Sequence, residues 1–163
     1  MAFVVRSAKA RAQSLASQHG VVMSVKFPSP EWTEAFKNAV NENVGYATAG
    51  KTWTHGKVAY VLKADARIGT TVDMAMVLDL HEGKCRGAQY VPATEVAATE
   101  FVIVAEYPRW KEVLSGEVDP TKAMMQNKLK LERGHLPTLL KFVVASKELV
   151  KSAVVIDTDF PAI

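Results

Sequence analysis

The chain reads as an α+β domain built on a largely antiparallel sheet. Three observations predict this. Between residues 57 and 106, apolar residues recur at every second position in short runs. Short, turn-rich gaps separate the runs, which favours antiparallel neighbours. On either side of this stretch the apolar spacing lengthens to that of a helix.

The first strong helix opens at Ser29-Pro30. Serine caps, proline suits the first helical position, and Glu31 faces the positive helix end. Trp32, Ala35, Phe36, Ala39 and Val40 then form one apolar stripe. The Asn41–Asn43 region and Gly45 weaken or end it, with a last turn available over Ala47–Gly50. Strands follow. Lys57–Ala64 turns Val58, Tyr60 and Leu62 to one face. Val72–Leu80 sends Val72, Met74, Met76, Leu78 and Leu80 one way, and Asp73, Ala75, Val77 and Asp79 the other, polar way. His81-Glu82-Gly83-Lys84 reads as a hairpin turn into a return strand, Cys85–Val91. Glu100–Glu106 is a fourth strand.

The C-terminal part turns helical. Pro108 opens a short helix carrying Trp110, Val113 and Leu114, which Gly116 stops. Asp119-Pro120 opens another, with the carboxylate as cap. Lys128–Glu132 alternates lysine and leucine and reads as a fifth strand. A final helix spans about Leu136 to Lys151, with an apolar arc broad enough for burial on more than one side.

A chain of 163 residues with 48% hydrophobic content fits one domain with its own core. No apolar run reaches the roughly 20 residues that span a bilayer. The lone cysteine, Cys85, excludes an intrachain disulfide framework and suits a reducing, cytoplasmic location. The net charge of +3 is local. Residues 1–30 hold Arg6, Lys9, Arg11 and Lys26 and no acid, leaving 16 basic and 17 acidic residues in the rest. A nucleic-acid partner is therefore not expected. Residues 1–26 read as a basic N-terminal arm or helix, a composition shared with targeting segments, and 27–163 as a single domain.

The chemistry-bearing residues do not assemble into a catalytic set. Cys85 and His81 flank one turn and make no triad. His55, His81 and Cys85 lack recognised metal-ligand spacing, and His19 and His135 are isolated. Asp73 and Asp79 have no acid–base partner in sight. Gly45-Tyr46-Ala47-Thr48-Ala49-Gly50-Lys51-Thr52 satisfies the literal phosphate-loop pattern. It follows a helix and precedes a strand, however, whereas such loops connect a strand to a helix. It keeps a nucleotide hydrolase open as an alternative. Met74, Met76, Met124 and Met125 supply soft, adaptable apolar surface, suited to core packing or to a pliable wall around an aliphatic ligand.

The stretch from Leu114 to Leu131 contains Leu-Ser-Gly, Asp-Pro, Ala-Met-Met and Asn-Lys-Leu-Lys-Leu in order. It resembles the sterol carrier protein-2 family, whose pattern runs from a Leu-x-Gly helix end through Asp/Asn-Pro and an alanine before bulky apolar residues to a Gly-Lys-Leu-Lys strand. Phe27-Pro28-Ser29-Pro30-Glu31-Trp32 and Phe101–Glu106 agree in order, so the resemblance covers roughly 27–155. Asn127 stands where the family has glycine, and asparagine tolerates a left-handed backbone. Gly134-His135-Leu136-Pro137 also departs from the pattern.

The resemblance implies a curved five-stranded sheet, helices covering one face, and an apolar tunnel between the layers. It implies a non-enzymatic carrier of a lipid or fatty acyl ligand, such as a fatty acid, fatty acyl-CoA or sterol. No cofactor and no metal are expected, and the basic N-terminal arm is expected to assist transient docking on anionic membranes. Expected lipid-binding residues are Trp32, Phe36, Met74, Met76, Leu78, Met124, Met125, Leu136, Leu139, Leu140 and Val143. The other alternative is an accessory or dimerisation domain whose cavity is filled by side chains.

Overall fold

The structure, a computed structural model, describes residues 24–163. The expected basic arm lies outside the described residues up to position 23. Its last two residues form a short strand, β1 (Val25–Lys26). The main sheet comprises β2 (Val58–Leu62), β3 (Met74–His81), β4 (Lys84–Pro92), β5 (Phe101–Ala105) and β6 (Lys130–Arg133). A final strand, β7 (Thr158–Asp159), pairs in parallel with β1 and joins the two ends of the described chain.

The spatial order is β4-β3-β2-β5-β6. Three of its pairings are antiparallel, and β2–β5 is parallel. The parallel pair arises because the β3–β4 hairpin occupies one edge of β2. The chain then crosses to the other edge and runs in the β2 direction. The hairpin turn has Glu82 at φ 48° and Gly83 at φ 81°, the left-handed pair that matches strand twist. A Cβ on Gly83 would also press into the Ala47 backbone carbonyl.

Helix α1 (Pro30–Glu42) starts where Ser29 Oγ accepts from the Trp32 N–H at 2.9 Å. A separate helix, α2 (Val44–Ala49), replaces the expected last turn of α1. Asn43 creates the break: its Oδ1 caps α2 at the Tyr46 N–H, 3.2 Å away, while its Nδ2 donates to Glu148 O and Ser152 Oγ, both at 3.0 Å. Next come α3 (Tyr107–Leu114) and α4 (Pro120–Met125), capped by Asp119 Oδ1 accepting from the Thr121 N–H at 2.8 Å.

The single C-terminal helix expected from the sequence is instead two, α5 (Leu136–Leu140) and α6 (Val143–Val154). The break falls at Phe142, whose ring packs edge-on against Trp53 at 5.0 Å and His55 at 5.6 Å. Among the described residues no helix is long and apolar enough to cross a membrane.

All the helices cover one face of the sheet. Val58, Leu62, Met76, Leu78, Leu80, Phe101 and Ile103 share one core with Trp32, Phe36, Trp110, Ala145 and Leu149. The opposite face carries a second, helix-free cluster of Ala59, Val61, Ala75, Val77, Val102 and Val104. The polar face expected for β3 is therefore polar only at its ends, Asp73 and Asp79. Its middle is covered by the β4–β5 connection, which contributes Val96 and Ala93. Arg133 pins that connection, donating from Nη1 to the carbonyls of Val96, Ala97 and Thr99 at 2.9–3.1 Å.

Candidate functional site

Between the sheet and its helices lies a cavity of about 70 Å³. Alternation in β2 and β3 turns Val58, Tyr60, Met76 and Leu80 into it, with Ile103 from β5 beside them. Helical spacing brings Phe36 from α1, Trp110, Val113 and Leu114 from α3, and Ala145, Leu149 and Val150 from α6. Tyr46, Trp53, Met124, Leu129, Leu139 and Phe142 complete the enclosure with Pro120 and Ser146. The lining holds no Asp, Glu, Lys, Arg or His. The space is therefore suited to an apolar ligand and offers no charge to attract an ion. Its volume is well below the roughly 300–1,000 Å³ of a ligand-sized pocket, so a lipid must displace side chains to fill it.

The indoles in the lining are tied down. Trp110 Nε1 donates to the Val61 carbonyl at 2.8 Å, and Trp53 Nε1 to the Gly56 carbonyl at 3.0 Å. Burial raises the Tyr46 and Tyr60 phenols above their ordinary range, and proximity to Cys85 adds to both shifts. A smaller cavity of about 10 Å³ lies beyond, against Phe27, Pro28, Leu62, Met74 and Tyr90. Tyr60, Met76 and Trp110 line both spaces and form the partition between them. Of the three, Met76 is the flexible member, with an unbranched side chain.

The residues expected to bind lipid fall into three groups. Phe36, Met76, Met124 and Leu139 line the main cavity, and Met74 lines the smaller one. Trp32 and Leu78 are fully buried in the core outside either lining. Met125, Leu136 and Leu140 are exposed beside Met124 and Leu139, with Val143 half-buried next to them. The lining also includes Tyr46, Tyr60, Trp53, Trp110 and Ala145, which are absent from the expected set. The β2 alternation and the α3 stripe already carried the signal for Tyr60 and Trp110, since both residues share a face with cavity-lining neighbours.

The phosphate-loop-like segment is explained by packing. Gly45 to Ala49 lie within α2, with no strand before them. A Cβ on Gly45 would meet the Glu148 carboxylate, and one on Gly50 would lie 2.8 Å from the Tyr46 ring. Both glycines thus answer to close neighbours rather than to a phosphate. His81 pairs with Glu82 at 2.7 Å, and His55 stacks edge-on against Trp53 at 5.0 Å. Among the described residues no group of three or more His, Cys, Asp or Glu gathers as a metal site.

Residues 36–144 match the family described as SCP-2 sterol transfer family. The crystal structure of a sterol carrier protein 2 superposes with TM-score 0.74 at 36% identity, covering 78% of this chain and 97% of that one. A conserved hypothetical protein of Thermus thermophilus, suggested to be a sterol carrier protein, superposes with TM-score 0.74 at 35% identity over 80% and 90% of the two chains. The sterol carrier protein domain 2 of Helicoverpa armigera shares the fold, with TM-score 0.51 at 15% identity over 81% and 94%. No curated protein matches the chain.

Proposed function

This chain belongs to the SCP-2 sterol transfer family, and we propose that it binds a lipid in the sheet–helix cavity and carries it without chemical change. The ligand is a fatty acid, a fatty acyl-CoA, a sterol or a similar hydrophobic molecule. The observation that supports this most directly is a cavity between sheet and helices whose lining carries no charged side chain. Burying a methylene yields about 0.8 kcal/mol, so a sixteen-carbon chain gains roughly 12 kcal/mol gross. Association costs on the order of 4–15 kcal/mol, and part of the remainder goes to moving the side chains that now fill the space. The remainder is at most about 8 kcal/mol, so binding is no tighter than about micromolar and release is ready, as carriage requires.

We infer that the ligand enters between α4 and the α5–α6 junction, where Pro120, Met124, Phe142 and Ser146 of the lining are only half-buried. There, half-buried Met124 and Phe142 of the lining adjoin exposed Met125, Leu140 and Val144. Lys122, Lys128, Lys141 and Lys147 are exposed on or next to the same helices, and Lys147 lies 3.7 Å from Asp119. The combination favours transient contact with an anionic membrane, where a ligand can transfer without crossing water.

Ala145→Leu tests the reading by filling the cavity from α6. The variant should stay folded and lose displacement of a fluorescent fatty acid at least tenfold, and lipid seen on the native protein by mass spectrometry should disappear. Unchanged binding by Ala145→Leu would place the ligand elsewhere. A wild-type protein that is empty and ignores the probe would favour the accessory-domain alternative.

A further inference from the structure

The cavity is apolar but not featureless. Tyr46 and Tyr60 are the phenols in its lining, and neither hydroxyl has a hydrogen-bond partner among the described residues. The two indoles of the lining are already satisfied, and Ser146 stands on the helical wall, in α6. Tyr46 is only 1% exposed, yet neither phenol oxygen is among the buried side-chain atoms left without a partner, so each keeps surface that water or a ligand can reach. Tyr60 stands in the middle strand of the sheet, on the face that the helices cover, and lines both cavities. The two phenols are close enough that charge on Tyr46 opposes ionisation of Tyr60.

We propose that the Tyr46 hydroxyl, from α2, and the Tyr60 hydroxyl, from β2, form a polar seat in the cavity that receives a neutral oxygen group of the lipid, such as an alcohol, ester or ketone. The inference rests on the lipid-carrying reading and specifies its ligand. Each phenol can donate one hydrogen bond and accept another. An alcohol can satisfy both, accepting from one and donating to the other, and a carbonyl oxygen can accept from both. Hydrocarbon packed against these hydroxyls would leave them without a partner, so an oxygen supplied there is favoured over bare hydrocarbon. A carboxylate is disfavoured at the same place, because no cation stands in the lining to offset its desolvation. A fatty acid bound as the anion would keep its head at the rim, whereas an alcohol or ester can enter head first.

The test compares sixteen-carbon ligands: hexadecane, hexadecanol, methyl palmitate and palmitate at pH 8, each displacing a fluorescent lipid from wild type, Tyr60→Phe and Tyr46→Phe/Tyr60→Phe. Wild type should prefer hexadecanol and methyl palmitate over hexadecane by about tenfold. Tyr60→Phe should reduce that ratio, and the double variant should bring it near one. Should the double variant not fold, nuclear magnetic resonance of ring-labelled tyrosine in the wild type decides. The Tyr46 and Tyr60 ring signals should then move differently with hexadecanol than with hexadecane, and identical shifts would overturn the polar seat. A ratio of one in wild type, or one unaffected by removing the hydroxyls, overturns the polar seat while leaving carriage intact. Failure of all four ligands to bind overturns carriage itself, and the polar seat with it.

Discussion

The Asn41 side chain pairs with the Cys85 backbone as a neighbouring strand would. Its Nδ2 donates to the Cys85 carbonyl at 2.9 Å, and its Oδ1 accepts from the Cys85 N–H at 2.8 Å. β4 is an edge strand, and its register against β3 slips between Leu78 and Leu80. The amide of α1 thus completes the hydrogen bonding of a strand edge beside an irregularity, and anchors the helical layer to the sheet.

Removing that amide leaves two backbone groups of a buried residue unpaired. Asn41→Ala should destabilise the fold by about 1–2 kcal/mol. Asn41→Asp should also destabilise it, because a carboxylate cannot donate to the Cys85 carbonyl. Denaturant titration of both variants checks this, and equal stability in all three proteins would refute it.

Burial shapes the response to alkali. It pushes the Cys85 thiol from 9.0 up to about 11, and the Tyr107 phenol from 10.0 up to about 12. In both groups the folded state holds its proton more tightly than the unfolded chain. Their contribution is fully present below pH 9 and is lost as pH rises from about 9 to 12. Unfolding free energy should therefore fall across that window, and Cys85 should resist thiol reagents at pH 8 until the protein is denatured. A stability that stays level up to pH 11 would contradict this.

Asn127 adopts φ 58° after α4. Glycine takes that conformation without a Cβ penalty and a β-branched residue does not. Asn127→Gly should preserve stability or raise it slightly, and Asn127→Val should lower it by about 1–2 kcal/mol. Thermal unfolding of the pair reads the difference, and similar melting temperatures would remove the left-handed backbone as its cause.

Met125 is 69% exposed and Val144 63% exposed on the rim. If the rim meets membranes, Met125→Glu and Val144→Asp should slow lipid transfer from anionic vesicles several-fold. Displacement of a probe at equilibrium should remain as in wild type, since neither residue lines the cavity. Transfer at the wild-type rate in both variants would move the contact to another surface.

Features set by neighbours in sequence were legible from the residues themselves. Ser29 and Asp119 cap the helices their prolines open, and Glu82-Gly83 turns the hairpin. Asn127 takes the left-handed backbone its position requires. Each depends on a few consecutive residues whose backbone preferences point one way. The parallel β2–β5 pair and the helix break at Phe142 were not legible, since they depend on groups far apart in the chain.

The composition and spacing of this chain were enough to establish the α+β class, five strands, the resemblance to a lipid-carrying family, and the apolar face each element presents. Tertiary structure alone decided which apolar residues meet one another and which meet empty space. Trp32 and Phe36 belong to one helical stripe, yet Trp32 fills the core and Phe36 lines the cavity. Periodicity specifies the direction in which a side chain points, but a cavity is set by how far the opposing layer stands from it, and that distance is a property of the packed whole.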